Sequence, residues 1–330
     1  MARRRDTGTN WIQIAGLIVL TVVVAILCVM ALRSARPYVP NAGETPGYEG
    51  NLSNVTSVDS HNDENDTTDS ASSDSDEDAG SSTATTVVPS LTRILVAQDN
   101  NVAYRATTGP CPETSAVVEV THNGGANWSS NYVGPSDFFS APQRLLAGQD
   151  GHVTVVALDA EDCSTISVLQ SYSFGSNWDL VADGAEETWH LSPTNPAQAI
   201  APQVGAVELP CEGARIASPS STSAGVLCSD GRVASTSNAG EAWATSDSFA
   251  GAEGIAVTGD AYLLVQTEVE ECEGTQITRL NTSLTIDAQS CVPEAHAPGE
   301  TAIGGGTDGS VWLWAGNTII RSTDAGATWE

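Results

Sequence analysis

Three short stretches of this chain set a cysteine among carboxylates: Pro110-Cys111-Pro112-Glu113, Glu161-Asp162-Cys163 and Glu270-Glu271-Cys272-Glu273. Clustered carboxylates can hold a divalent cation, dock a basic partner or, at a set separation, cleave a glycosidic bond. Glu113, Glu161, Asp162, Glu270 and Glu271 therefore form a candidate acidic docking rim, set against the plainer reading of solvation around disulfide loops. Cys111, Cys163, Cys211, Cys228, Cys272 and Cys291 are an even set, and Cys28 sits apart in an apolar run. An even set implies three disulfides formed in an oxidising compartment, with many connectivities open. Separation along the chain favours Cys211–Cys228 and Cys272–Cys291 as local bridges and leaves Cys111–Cys163 between neighbouring units. His61, His122, His152, His190 and His296 have no metal-ligand spacing, and no Cys-x-x-Cys, Gly-x-Ser-x-Gly or His-Glu-x-x-His occurs. No catalytic residue, cofactor or metal site is expected on that basis.

The elements that position these loops announce themselves by repetition. Thr121-x-Asn123-x-Gly125-x-x-Trp128 returns as Ser171-x-Ser173-x-Gly175-x-x-Trp178, as Thr236-x-Asn238-x-Gly240-x-x-Trp243 and as Ser322-x-Asp324-x-Gly326-x-x-Trp329. The hydroxyl and the short polar side chain can close a tight turn on nearby amides, and the glycine can take positive φ. The tryptophan then buries a large ring with a polar handle. Four copies in one chain argue for a repeat fold.

The phrase resembles the Asp-box, or BNR repeat, of sialidase, sortilin-like and photosystem-assembly β-propellers, over roughly residues 86–330. The resemblance implies an all-β propeller in which each box turns between the third and fourth strands of a blade, away from the axial face where ligands bind. It carries no activity by itself. A sialidase would need three arginines on a carboxylate, a tyrosine with a paired glutamate and an acidic aspartate. Only Thr92-Arg93-Ile94-Leu95 shadows the early motif of that family, while Arg105, Arg144, Arg215, Arg232, Arg279 and Arg321 sit in no recognisable one.

Apolar runs upstream of the boxes align into five units, beginning near Arg93, Arg144, Ala214, Gly254 and Ala302. The fourth has Asn281-Thr-Ser-Leu-Thr-Ile-Asp287 where a box would stand. Five blades are favoured over six, with the long stretch between Trp178 and Ala214 either an insertion or a degenerate sixth blade. The last blade is expected to borrow its fourth strand from residues near Thr85–Pro89, so that deleting 83–90 would destabilise the whole domain. Trp312 and Trp314 share one strand face, more as inter-blade packing than as a sugar platform.

Charge divides the chain of 330 residues. Residues 1–42 carry five arginines and one aspartate, residues 43–85 eleven acids and no base, and residues 86–330 the remaining 29 acids against seven arginines. The net charge of −29 offers no basic surface to phosphates, which excludes nucleic acid as a partner. Residues 33–85, polar and acidic, read as a disordered linker. Trp11 to Leu32 is uncharged and would span roughly 33 Å as a helix, enough for a bilayer core. With Arg3, Arg4 and Arg5 before it, the expected topology is a cytoplasmic tail over 1–10, a single plasma-membrane span over 11–32 and an extracytoplasmic propeller over 86–330. A cleavable leader ending near Val29-Met30-Ala31 is the alternative. The absence of lysine matches a GC-rich bacterial genome, hence a bacterial cell envelope. The expected function is a non-catalytic binding or assembly module for an envelope protein or glycan. An extracellular glycoside hydrolase of the sialidase type is the alternative.

Overall fold

A computed structural model describes residues 87–330. The apolar run over 11–32 and the acidic linker up to 85 lie outside the described residues, and among those described no helix is long and apolar enough to cross a membrane.

The chain folds into six antiparallel sheets in sequence order. Blade 1 comprises β1 (Arg93–Ala97), β2 (Ala103–Thr107), β3 (Val117–Thr121) and β4 (Ser129–Tyr132). Blade 2 comprises β5 (Phe139–Ala147), β6 (Val153–Asp159), β7 (Ile166–Ser171) and β8 (Asp179–Leu180), followed by the single-turn helix α1 (Gly184–Glu187). Blade 3 has three strands, β9 (His190–Leu191), β10 (Gln198–Ala201) and β11 (Gly205–Glu208). Blade 4 runs through β12 (Gly213–Ala217), β13 (Ala224–Cys228), β14 (Arg232–Thr236) and β15 (Ala244–Ser248). Blade 5 holds β16 (Ala252–Thr258), β17 (Ala261–Gln266), β18 (Thr275–Leu280) and β19 (Ile286–Val292), and blade 6 holds β20 (Thr301–Gly305), β21 (Val311–Ala315) and β22 (Thr318–Ser322). First strands pack against those of adjacent blades, and β20 touches β1, so the ring closes. The protein is a six-bladed β-propeller.

The sequence reading favours five blades; the sixth is the stretch between Trp178 and Ala214. Its first strand is two residues long, and Pro193, Pro196 and Pro202 break the alternation that marks a strand. Trp189 supplies the core a box tryptophan would otherwise help build. It is 2% exposed, packs edge-on against Trp243 with centroids 6.4 Å apart, and donates Nε1–H to the Ser221 carbonyl at 2.9 Å.

Strand composition follows position in the blade. β13, β17 and β21 are buried at every residue because neighbouring blades cover both faces, so they read as unbroken apolar runs. The outer strands β4 and β15, Ser-Ser-Asn-Tyr and Ala-Thr-Ser-Asp-Ser, are mostly exposed and hydroxyl-rich, which leaves no apolar edge.

Three of the four repeated phrases turn from a third strand into a fourth, and the last turns from β22 into Glu330. In the first, Thr121 Oγ1 accepts from the Gly125 amide at 3.0 Å and donates to Asn123 Oδ1, which accepts from the Asn127 amide at 3.0 Å. Thr236 with Asn238 and Ser322 with Asp324 repeat the arrangement, and Ser171 with Ser173 repeats it using two hydroxyls. Gly125, Gly175, Gly240 and Gly326 have φ between 81° and 88°. The preceding residue is left-handed as well, and Phe174, Ala239 and Ala325 manage it at φ of 55°, 56° and 59°. That value is the centre of the left-handed well, whereas φ above about 80° lies beyond it for a residue with a Cβ. Trp128 and Trp329 donate to the carbonyls of Gly125 and Gly326, while the Trp178 and Trp243 indoles have no acceptor. In blade 5, Asn281 Oδ1 takes over, accepting from the Ser283 and Thr285 amides at 2.9 and 3.1 Å.

Closure differs from the sequence expectation. Residues 87–90 do not join β22. Val88 donates its amide to the Ser229 carbonyl at 2.9 Å and buries its side chain in a cluster with Ala217, Leu227 and Ile255 of blades 4 and 5. Residues 88–92 therefore run from blade 4 to the start of blade 1, across the ring. Burying Val88 there wins over extending an outer sheet edge, where it would stay exposed to water. Blades 1 and 6 are joined by side chains instead. Trp312 Nε1 donates to the Asp99 carbonyl at 3.0 Å, and Arg321 donates to the Asn100 carbonyl at 2.8 Å. The Arg93 and Arg105 guanidinium carbons lie 4.5 and 4.7 Å from the Trp314 ring centroid. Glu330 exchanges two backbone hydrogen bonds with Arg321, where a fourth strand begins in other blades. The inner strand β20 fits between its neighbours only because it is bare: a Cβ on Gly304 would lie 2.6 Å from the Leu95 carbonyl oxygen, and one on Gly305 1.9 Å from that of Val257.

Candidate functional site

The six innermost strands enclose a cavity of about 370 Å³ on the ring axis. Leu91, from the segment that crosses the ring, lines it, as do the loop residues Ser218, Pro219, Gly259, Gly306 and Thr307. Its aliphatic wall includes Leu95, Leu145, Ile216, Ile255 and Ile303. Every blade adds polar residues from its innermost strand: Arg93, Gln143 and Arg144, His190, Arg215, Glu253 and Thr301.

Arg93, Arg144, Arg215, Glu253 and Thr301 reach beyond their own blades, while Gln143 and His190 bond carbonyls two residues away. Arg144, 7% exposed, donates to the Trp189 carbonyl and, at 2.6 Å, to Ser218 Oγ, so it bridges blades 2, 3 and 4. Burial alone pulls its pKa down to about 10, which leaves it charged at neutral pH. Arg215 donates to the Pro89 carbonyl at 2.7 Å and so ties the crossing segment to β12. Burial lowers its pKa to about 10, against the opposing pull of Glu253. Glu253, 4% exposed, accepts from the Thr267 hydroxyl at 2.6 Å and from the Thr301 hydroxyl at 2.7 Å, one on each oxygen. His190, 3% exposed, donates Nδ1–H to the Thr188 carbonyl at 2.8 Å, which leaves Nε2 as the acceptor. Burial first, then the positive charge of Arg144, hold its pKa below the usual imidazole value. Arg93 is taken up at the seam, donating to the Glu300 and Gly316 carbonyls beside Trp314.

Among the described residues only Arg105–Glu119 at 2.7 Å and Arg232–Asp230 at 2.8 Å form ion pairs, and neither lies at the axis. The cavity thus offers two buried guanidiniums, one carboxylate already holding two hydroxyls, one neutral imidazole and aliphatic walls. That chemistry can hold and orient a small anion; it supplies no second carboxylate to share a proton-transfer task.

The residues singled out from sequence fall elsewhere. The boxes lie at outer turns. All three disulfides take the expected pairs, with Cα–Cα distances of 5.8, 5.8 and 5.6 Å for Cys111–Cys163, Cys211–Cys228 and Cys272–Cys291. The acidic rim does emerge from loops between second and third strands, but not as one cluster. Cys111–Cys163 joins the loops of Glu113 on blade 1 and of Glu161 and Asp162 on blade 2, while Glu270 and Glu271 stand on blade 5. All five are exposed. Asp162 is engaged by the Thr165 hydroxyl at 2.6 Å and by the Ser164 and Thr165 amides, which hold its carboxyl below the usual range. Trp312 and Trp314 pack at the seam between blades 6 and 1, not on an open face.

Arg144, Arg215, His190 and Glu253 were not read as site residues in the sequence. A signal for two of them exists: Arg93-Ile-Leu-Val, Arg144-Leu-Leu-Ala and Arg215-Ile-Ala start three aligned apolar runs with the same residue. An arginine at the head of one apolar strand is ordinary; at the same register in three it marks a place on the axis.

No family model matches the chain, and no curated protein matches it. Among solved structures it is similar to an arginine-substituted mutant of AofleA from Arthrobotrys oligospora, at 10% identity and a TM-score of 0.49, over 74% of this chain and 86% of that one. It is similar to BamB from Moraxella catarrhalis at 12% identity and a TM-score of 0.35, over 68% and 80% of the two chains. YCF48 bound to D1 peptide matches at 14% identity and a TM-score of 0.29, over 74% and 83%. At these values the likenesses carry no ligand or activity across; the ring rests on this chain's own strand pairing.

Proposed function

We propose that this chain is a non-catalytic binding module: an Asp-box propeller anchored by a span over 11–32, with its N-terminus cytoplasmic and its propeller outside a bacterial plasma membrane, where it engages an envelope protein or glycan. The observation that carries the non-catalytic reading is the state of Glu253. It is the one carboxylate side chain lining the axial cavity, and threonine hydroxyls occupy both of its oxygens. A glycoside hydrolase of the usual kind needs two free carboxylates flanking the bond it breaks. Among the described residues no tyrosine lines the cavity to serve as a sialidase-type nucleophile. The length of the apolar run, the arginines before it and three disulfides support an anchored, oxidised location.

Incubating the full chain with a panel of aryl glycosides, sialosides included, tests the reading. No turnover is expected; turnover that disappears in Glu253→Gln would establish a hydrolase instead. The docking rim is tested by reversing Glu113, Glu161, Asp162, Glu270 and Glu271 to lysine and repeating cross-linked capture from envelope fractions. Loss of the captured partner is expected, and unaltered capture removes the rim from the account.

A further inference from the structure

We infer that the axial cavity is a binding site for a small organic monocarboxylate, held by Arg144 and seated against aliphatic walls. The inference goes beyond the partner-binding reading and does not depend on it, because it concerns the interior of the ring and not its rim.

Arg144 carries it. The side chain is more than nine-tenths buried, charged at neutral pH, and satisfied only by two neutral acceptors, the Trp189 carbonyl and Ser218 Oγ. Among the described residues no carboxylate lies within ion-pair distance of it. A guanidinium has five N–H donors, and Arg144 has spent two of them within the protein. A buried cation without a counter-charge is costly to hold, and a carboxylate on the same guanidinium removes that cost with paired, charge-assisted hydrogen bonds. The fixed charges define the ligand further. Against the single carboxylate of Glu253, the guanidiniums of Arg93, Arg144 and Arg215 leave the lining with a positive surplus, which favours an anion. Leu95, Leu145, Ile255 and Ile303 favour an apolar body behind the charged group, and about 370 Å³ leaves room for one.

The test is a calorimetric titration of the full chain, solubilised in detergent, with benzoate, with its neutral isostere benzamide and with inorganic phosphate. Saturable benzoate binding is expected, with benzamide silent and phosphate weaker. Arg144→Gln should weaken benzoate by at least about tenfold, the loss of a paired charge-assisted contact. Glu253→Gln, which deletes the opposing negative charge and keeps the shape, should tighten it. Opposite signs at two buried residues would not arise if both merely held blades together. Equal binding of benzoate and benzamide, a phosphate response without a benzoate one, or unchanged affinity in Arg144→Gln would overturn the proposal. Should Arg144→Gln fail to fold, Glu253→Gln decides alone: affinity that stays level or falls contradicts the site.

Discussion

The outer turns and the axial belt of this propeller are both made of short polar motifs set down blade after blade, yet they satisfy their polar atoms in opposite ways. At the outer turns, Thr121, Ser171, Thr236 and Ser322 bond amides only four residues ahead, within one loop. At the axis, Arg144, Arg215 and Glu253 find their partners in other blades or in the crossing segment: Trp189 and Ser218, Pro89, and Thr301. The first arrangement is complete in itself and can be copied. The second is assembled across blades and leaves Arg144 without a paired carboxylate among the described residues. Copied, closed motifs build the ring; the unique, open belt is where a ligand can alter the energy.

Substitutions can break that contrast, beginning with the largest effect. Gly305→Leu should prevent β20 from seating beside β16, costing about 3 kcal/mol or folding itself, since the obstacle is the Val257 backbone. Urea unfolding reads it directly. Thr121→Val and Thr236→Val each leave part-buried amides without an acceptor and should cost about 1 kcal/mol. Lying in different blades, the two should add in the double variant. Val88→Ala should cost about 1 kcal/mol and raise amide exchange along 88–92, with no change at the boxes.

Acid sharpens the comparison further. His190 has a folded pKa below its ordinary 6.5, so the unfolded chain binds more protons and stability falls as pH drops below that value. Asp324 has its carboxyl held down to about 2, chiefly by the Thr328 amide and hydroxyl, against an ordinary 3.8. Its contribution is present above 3.8 and lost as pH falls towards 2. A melting-temperature profile should therefore decline first at the axis and later at the last box. His190→Asn should flatten the upper limb alone and Asp324→Asn the lower limb alone.

Much of the ring was legible because its devices are local. The hydroxyl, the left-handed glycine and the tryptophan of each box lie within eight residues, and two of the disulfides bridge fewer than twenty. Blade 3 was legible only as the less favoured alternative, because its first strand is two residues long, prolines punctuate it, and Trp189 is buried without any box before it. Closure was misread for a related reason. A strand borrowed from the N-terminal side is a reasonable way to complete blade 6, but the burial of Val88 among blades 4 and 5 depends on a pocket no segment shows by itself. The axial site stayed hidden because its meaning lies in what Arg144 does not meet. Its two neutral acceptors, Trp189 and Ser218, come from other blades and meet it only in the closed ring.

In this propeller the outer turns carry stability, and the proposed ligand binds at the axis. Benzoate affinity measured side by side in Thr236→Val and Arg144→Gln tests it most directly. Thr236→Val is expected to lose stability and keep wild-type affinity, while Arg144→Gln loses affinity by at least about tenfold. Affinity that follows stability in both variants, or that is untouched in Arg144→Gln, would contradict it.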